Sequence, residues 1–91
     1  MSARISMIKE RLQSALSPQS MEVIDESAQH AGHAGAKSGG GHYALTIVAQ
    51  QFAGHNLLQR HRMVYAALGD AMHKDIHALS IRAYAPDELK L

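Results

Sequence analysis

Histidine and glycine dominate the segment Gln29–His42, which reads QHAGHAGAKSGGGH. Imidazole is the most common metal ligand among protein side chains, and His30 and His33 stand close together in this segment. Segments of this length without hydrophobic periodicity are uncommon in compact domains, and they are usually functional or disordered. The composition therefore predicts a flexible loop over residues 28–41 that can contribute histidine ligands to a metal site.

The chain cannot complete a metal site of the usual kinds by itself. It has no cysteine, which excludes disulfides, zinc knuckles and a cysteine nucleophile, and nearly excludes a self-contained iron–sulfur cluster. A zinc site needs more ligands than His30 and His33 provide, and no H-E-x-x-H motif supplies them. No nucleophile stands with a base and an orienting acid in a catalytic motif. We therefore expect a binding protein rather than an enzyme.

Two further histidines fall inside predicted elements. His77 opens the core face of the last predicted strand. A histidine buried in the core is one interpretation, but a strand end is where side chains meet loops and solvent, so a functional role is equally open to it. His61 lies on the apolar face of a helix, between Arg60 and Arg62, whose charges disfavour a bound cation. We interpret His61 as a neutral histidine whose hydrogen bonds are satisfied inside the core.

Length and composition indicate one globular domain over residues 1–91. A chain of 91 residues is too short to divide into two ordinary domains. Its formal net charge of +1 is too small to argue for nucleic-acid binding on its own. No long apolar run and no signal-peptide pattern occur, so we expect a cytoplasmic protein without a membrane segment.

Apolar spacing predicts a first helix that ends at Ser17–Pro18. Its apolar stripe comprises Ile5, Ile8, Leu12, Ala15 and Leu16. A short strand is predicted over Met21–Ser27, and the segment HYALTIVAQQF, which begins at His42, alternates as a second strand. One face of this second strand holds Tyr43, Leu45, Ile47 and Ala49.

Asn56 is predicted to cap a second helix, with Gln59 completing a capping box. One face of this helix collects Leu57, His61, Val64, Leu68 and Met72, and periodicity leaves open a break into two helices near Arg60. Alternation in the last strand, DIHALSIRAY, places His77, Leu79, Ile81 and Ala83 on one face and Ile76, Ala78, Ser80, Arg82 and Tyr84 on the other. Pro86 suits the first turn of a short terminal helix.

This order of elements predicts an α+β fold, α-β-β-α-α-β with an optional terminal helix. Two strands joined by a loop can pair antiparallel, and a helical crossover lets the third strand lie parallel to its neighbour. The result is a three-stranded mixed sheet with helices packed on one face.

The blocks QRHRMVYAAL and IHALSIRAY, together with F-A-G after the second strand, resemble the BolA family. The resemblance covers almost the whole chain and implies a fold similar to class II KH domains. It also implies a partner, a monothiol glutaredoxin of the CGFS type, with which BolA-like proteins share a [2Fe–2S] cluster in iron homeostasis and stress response. The partner and a bound glutathione would supply the thiolate ligands.

The resemblance also implies which residues serve as ligands. The histidine of the H-A-L block corresponds to His77. The second ligand comes from the loop between the first two strands, where the match ESAQH points to His30 and leaves His33 as the alternative. The family's usual Thr-Pro-Glu is Ala85-Pro86-Asp87 here, and the G-x-x-G that KH domains place between their middle helices is missing.

The alternative function is DNA binding by a stress-linked transcriptional regulator of cell morphology, as bacterial members of the family are described. A basic surface near the last strand would then comprise Arg60, Arg62, Lys74 and Arg82. In the absence of its partner we expect the chain to be a monomer or a weak homodimer.

Overall fold

The computed structural model describes residues 3–26, 41–74 and 76–89, with the exception of the side chain of His77. Its helices and strands follow in the order α1 (Ala3–Leu16), β1 (Ser20–Asp25), β2 (Gly41–Val48), α2 (Leu57–Leu68), α3 (Ala71–Lys74) and β3 (Ile76–Tyr84). Two short 3-10 helices, Gln50–Phe52 and Pro86–Leu89, lie before α2 and after β3. The predicted α+β order is confirmed.

The three strands form one mixed sheet in the order β1-β2-β3. Strand β1 pairs antiparallel with β2, and β3 pairs parallel with β2. A parallel pair needs a connection that returns along the sheet, and the segment that contains α2 and α3 provides it. Within the described residues no helix is long and apolar enough to cross a membrane.

Side chains from the helices and from one face of the sheet form the core. On β2 the predicted alternation is confirmed, since Tyr43, Leu45 and Ile47 are at most 3% exposed. Helix α1 contributes Ile8, Leu12 and Leu16, and α2 contributes Val64 and Leu68, all buried. The helices therefore cover one face of the sheet, as the pattern predicts.

One strand boundary and one position on α1 differ from the sequence prediction. Strand β2 ends at Val48, and the predicted strand residues Gln50–Phe52 form a 3-10 helix that turns the fully buried Phe52 into the core. The stripe of α1 follows an i, i+4 spacing, so Ala15 lies beside it and is exposed.

The apolar face of α2 is also displaced from the predicted one. Its buried residues are Arg60, Val64 and Leu68, whereas Leu57 is 64% exposed because it stands at the first turn, outside the core. The helix does not break near Arg60. It ends at Leu68, where Gly69 takes a positive φ of 57° and the guanidinium of Arg11 donates to the Leu68 carbonyl oxygen at 2.6 Å.

The predicted capping box at the start of α2 is confirmed. The Asn56 side chain accepts a hydrogen bond from the Gln59 backbone amide at 2.8 Å, and the Gln59 side chain accepts one from the Asn56 amide at 2.9 Å. Two backbone amides that have no partner within the helix are thereby satisfied.

Replacing the cap is expected to destabilise the fold measurably. We expect Asn56→Ala to lower the free energy of unfolding by about 1 kcal/mol, because the Gln59 amide loses its acceptor. Asn56→Asp retains an acceptor oxygen and should stay close to wild type. Urea denaturation of the three proteins tests this, and an equal loss in both variants would contradict the role of the cap.

Candidate functional site

Three strand ends meet at one edge of the sheet, which we call the His77 edge. Strand β1 ends at Asp25, opposite Tyr43, and β2 and β3 begin at Gly41 and Ile76, which face each other. The Glu26 amide donates to the His42 carbonyl oxygen at 2.8 Å, which extends the pairing beyond β1. The segment between β1 and β2 therefore leaves the sheet at the end of β1 and re-enters it at the start of β2, beside the first residues of β3.

The backbone register shifts at this edge. Gly41 lies opposite Ile76, whereas the next residue, His42, lies opposite Ala78. His77 is thus the extra residue on β3, the position occupied in a β-bulge, and bulges are often found next to functional sites. The shift also explains a wrong prediction, because Ile76 is buried although strict alternation puts it on the exposed face with Ala78.

A close contact at Gly41 shapes the same edge. The ring of Tyr43 lies over this glycine, and a Cβ atom at position 41 would be 2.5 Å from it. Tyr43 is itself 3% exposed, so the ring has little room to move aside. Glycine at position 41 therefore lets Tyr43 close the core directly beneath the strand ends.

The predicted metal ligands fall at this edge or outside the described residues. The backbone of His77 belongs to β3, while its side chain, His30 and His33 lie outside the described residues, so their ligand roles stay predictions. His42, which the sequence did not single out, pairs beside His77 and is partly buried. In the part of the chain that the structure describes, no three His, Asp or Glu side chains group together as a metal site.

The other histidines lie on the helical side of the molecule. His55 and His73 are exposed, in the turn before α2 and in α3. His61 is partly buried on α2, and its Nε2 atom is buried without a hydrogen-bond partner in the described structure. The partial burial agrees with the interpretation of His61 as a core histidine, whereas the predicted hydrogen bond to its Nε2 atom is not found among the described residues.

Arg60 does not lie on an exposed basic surface. Its guanidinium forms a bidentate pair with the Glu88 carboxylate, at 2.6 and 2.7 Å, and also donates to the carbonyl oxygens of His55 and Ala83 at 2.8 and 3.0 Å. Arg60 is 9% exposed. The sequence analysis did not identify Glu88 as the partner of Arg60. The only sign of it in the sequence is that an acidic residue follows shortly after Pro86.

The remaining basic candidates do not form one surface with each other. Arg82 is exposed on β3, between the buried Ala83 and the partly buried Ile81, so it lies on the sheet face that the helices leave open. Arg62 is exposed on α2, on the opposite side of the domain. Lys74 lies 3.5 Å from the Asp70 carboxylate, which also binds Arg11 at 3.0 Å.

Both ion pairs shift the pKa of their acids. The hydrogen bond from Arg60, with one from the Ala85 amide, lowers the pKa of Glu88 from 4.5 to about 2. The Arg11 hydrogen bond and the charge of Lys74 lower the pKa of Asp70. Glu88 in turn raises the pKa of Arg60, despite the burial of the guanidinium.

Comparison with known proteins identifies relatives over most of the chain. The sequence model of one family, described as BolA-like protein, matches residues 12–88. Protein BOLA1, chloroplastic, of Arabidopsis thaliana is 42% identical over 88 residues, which cover 93% of this chain and 55% of that protein. The DNA-binding transcriptional regulator BolA of Escherichia coli (strain K12) is 37% identical over 81 residues, 89% of this chain and 74% of that protein.

Solved structures agree with this assignment. The BolA domain of SufE1 from Arabidopsis thaliana superposes with a TM-score of 0.85 and 41% identity, covering 98% of this chain and 99% of that one. The chain spans about half the length of BOLA1 and about a quarter, 24%, of SufE-like protein 1 from the same plant. The match therefore concerns one domain of these longer relatives.

Acid should weaken the fold through Glu88. Because the folded state lowers its pKa, the pair with Arg60 stabilises the protein fully above pH 4.5, and this contribution is lost as the pH falls from 4.5 to about 2. We expect Glu88→Gln to be less stable than wild type near neutral pH and to lose less stability over that acidic range. Urea titrations at several pH values measure both effects.

Asp87→Asn serves as the matched control, since Asp87 is an exposed neighbouring acid that makes no such bidentate pair. This variant should follow the wild-type acid dependence. An acid dependence of Glu88→Gln equal to that of wild type would contradict the assignment.

Proposed function

The chain belongs to the BolA family, and on that premise we propose that it is an adaptor in iron–sulfur cluster assembly and trafficking. It would share a [2Fe–2S] cluster with a monothiol glutaredoxin of the CGFS type, through His77 and either His30 or His33. The observation that supports this most is the backbone position of His77, at the register shift beside the β2 end of the segment that carries the two other histidines, one strand away from its β1 end. Family membership also supports an adaptor or regulator rather than an enzyme.

The donor set of the chain fits half of a cluster site. Two imidazoles can replace two thiolates on one iron, as they do in Rieske centres. A chain without cysteine can offer only such imidazole ligands, so the thiolates must come from the glutaredoxin and its glutathione. The His77 edge suits this division, because it brings the histidine-bearing segment to the start of β3.

Imidazole ligation would also make the shared site sensitive to acid. Protons compete with metal for the ring nitrogens, so acidification favours the release of histidine ligands before thiolates of low pKa. A bound cluster of this kind could therefore be passed to a recipient or respond to cellular conditions. This supports trafficking rather than permanent storage as the role of the site.

The proposal predicts a coloured complex that depends on His77. We expect anaerobic co-expression with a CGFS glutaredoxin to yield a heterodimer with visible absorption and circular dichroism bands of a [2Fe–2S] centre. His77→Ala should change those spectra or abolish them, because one iron loses its protein ligand. His30→Ala and His33→Ala, tested singly, should identify the second ligand.

His55→Ala is the matched control, because His55 is exposed and lies in the turn before α2, away from the His77 edge. It should leave the spectra unchanged. Far-ultraviolet circular dichroism of the apo variants would verify that each is folded. Identical spectra for wild type and His77→Ala complexes would refute the proposed ligation.

DNA binding is the second candidate function, and the observation that favours it is the name of the Escherichia coli relative, a DNA-binding transcriptional regulator. The exposed residues Arg62, Lys74 and Arg82 remain available in principle to phosphates. However, Arg60 is held by Glu88, Lys74 lies near Asp70, and Arg82 lies on the other side of the domain from Arg62. The charges therefore favour the adaptor over the regulator.

We expect only weak, non-specific DNA binding by the apo protein. Fluorescence titrations of a labelled promoter duplex and a random duplex, at several salt concentrations, measure both affinity and specificity. Binding should fall steeply with salt and show little preference between the duplexes, since contacts to phosphate alone carry no sequence information. A preference of about a thousandfold or more, weakened by Arg62→Gln or Arg82→Gln, would instead support the regulator.

A further inference from the structure

Helix α2 exposes an unusual share of large apolar side chains. Leu57, Leu58 and Tyr65 are 64%, 58% and 42% exposed, and they are three of the five large hydrophobic residues exposed in the described structure. Scattered apolar residues on a surface are ordinary, but several on one helix of 12 residues form a patch. The core does not account for them, because α2 packs through Arg60 and Val64 instead.

The spacing of these residues forms a continuous ridge. At about 100° per residue, Leu58, Arg62 and Tyr65 follow one another along a single side of the helix, with Leu57 beside the first of them. We call these four residues the α2 ridge. Tyr65 also borders a shallow groove of about 330 Å³, whose other lining residues are Gly69, Met72 and His73.

The charge that α2 itself carries is positive. Helix α2 contains no acidic residue, and exposed Arg62 makes no ion pair within residues 3–26, 41–74 and 76–89. The nearby Asp70 is already bound by Arg11 and approached by Lys74. A guanidinium that lies between exposed apolar side chains complements an apolar surface that carries carboxylates among its contacts.

We infer that the α2 ridge is a docking surface for a protein partner that presents an acidic amphipathic helix. Apolar residues of that helix would pack on Leu58 and Tyr65 and enter the groove beside Met72, while its acidic residues would pair with Arg62. Helix-to-groove recognition commonly uses such apolar anchors at helical spacing. Exposed leucines distinguish this surface from one built for phosphates, which relies on basic and polar side chains.

The α2 ridge is held in place before any partner arrives. The capping box fixes the first turn of α2, and Arg60 ties that turn to Ala83 and Glu88. A preformed surface loses less conformational entropy when it binds. The ridge is therefore built as a rigid contact surface rather than as a segment that must fold on binding.

This surface does not depend on metal ligation. Arg60 bonds to Ala83 near the end of β3, and at about 3.3 Å per residue that end lies roughly 20 Å along the strand from His77. The start of the α2 ridge therefore lies near the end of β3 opposite to the His77 edge. The inference can be tested on the apo protein, and failure of the cluster proposal would leave it intact.

The test uses three displayed libraries of amphipathic helices against the immobilised full chain. The libraries share one randomised apolar face and differ at the polar positions, which are rich in glutamate, glutamine or lysine. We expect preferential enrichment from the glutamate library. Selected peptides should bind wild type with an affinity, by fluorescence anisotropy, that falls about tenfold or more in Leu58→Gln and Tyr65→Gln, as expected for central apolar contacts. Arg62→Gln should weaken binding several-fold and reduce its salt dependence.

Ile24→Gln is the matched control, since Ile24 is 47% exposed on β1 and should not affect peptide binding. All the substituted positions are exposed, and thermal unfolding would verify that the variants stay folded. Equal enrichment from the lysine library, or binding indifferent to Leu58→Gln and Tyr65→Gln, would overturn the inference. Duplex DNA binding that requires Arg62 but neither Leu58 nor Tyr65 would also overturn it. So would self-association of the chain that Leu58→Gln abolishes and that the selected peptides do not displace.

Discussion

The buried guanidinium of Arg60 joins three parts of the chain that no hydrogen-bonded ladder connects. It donates to the turn before α2 at His55, to the end of β3 at Ala83 and to the final 3-10 helix at Glu88. A buried arginine is tolerable only when its charge is neutralised and its N–H donors are bonded. The Glu88 carboxylate provides the opposite charge and accepts one hydrogen bond from each of the two terminal nitrogens of the guanidinium. Arg60 stands in the first turns of α2. Its hydrogen bonds to Ala83 and Glu88 therefore fix the position of the start of the crossover relative to the end of β3.

Because β2 and β3 pair in parallel, fixing the start of the crossover at Arg60 also influences the position of the His77 edge at the other end of the strands. A crossover that starts at the carboxyl ends of the strands must deliver the chain to the beginning of β3, where Ile76 meets Gly41. The antiparallel strand β1 ends at the same place, beside Tyr43. The sheet thus gathers the two ends of the histidine-bearing segment and the backbone of His77 at the same ends of its strands.

Local patterns predicted most of this fold, and contacts distant in sequence account for what they missed. The cap at Asn56 and the inward face of β2 depend on neighbouring residues, so they could be read from spacing alone. The partnership of Arg60 with Glu88 spans 28 residues, and the chain gives no local sign of it. For that reason the sequence pattern places Arg60 on an exposed basic surface and predicts a buried face of α2 that lies too close to Leu57. The register shift beside His77 likewise has no signature in a strand that alternates almost perfectly.

The displacement of the apolar face of α2 has a consequence for the surface. With Arg60 rather than Leu57 over the end of the core, Leu57 is turned toward solvent beside Leu58. Exposing them carries a cost, since burial of such side chains is the main favourable term in folding. A small domain has little stability to spare, so an exposed apolar ridge is best explained by a partner that buries it. The same ion pair that orders the crossover therefore also holds the start of the α2 ridge near the end of β3, whereas the groove that Tyr65 borders reaches the residues of α3, which lead into the start of β3.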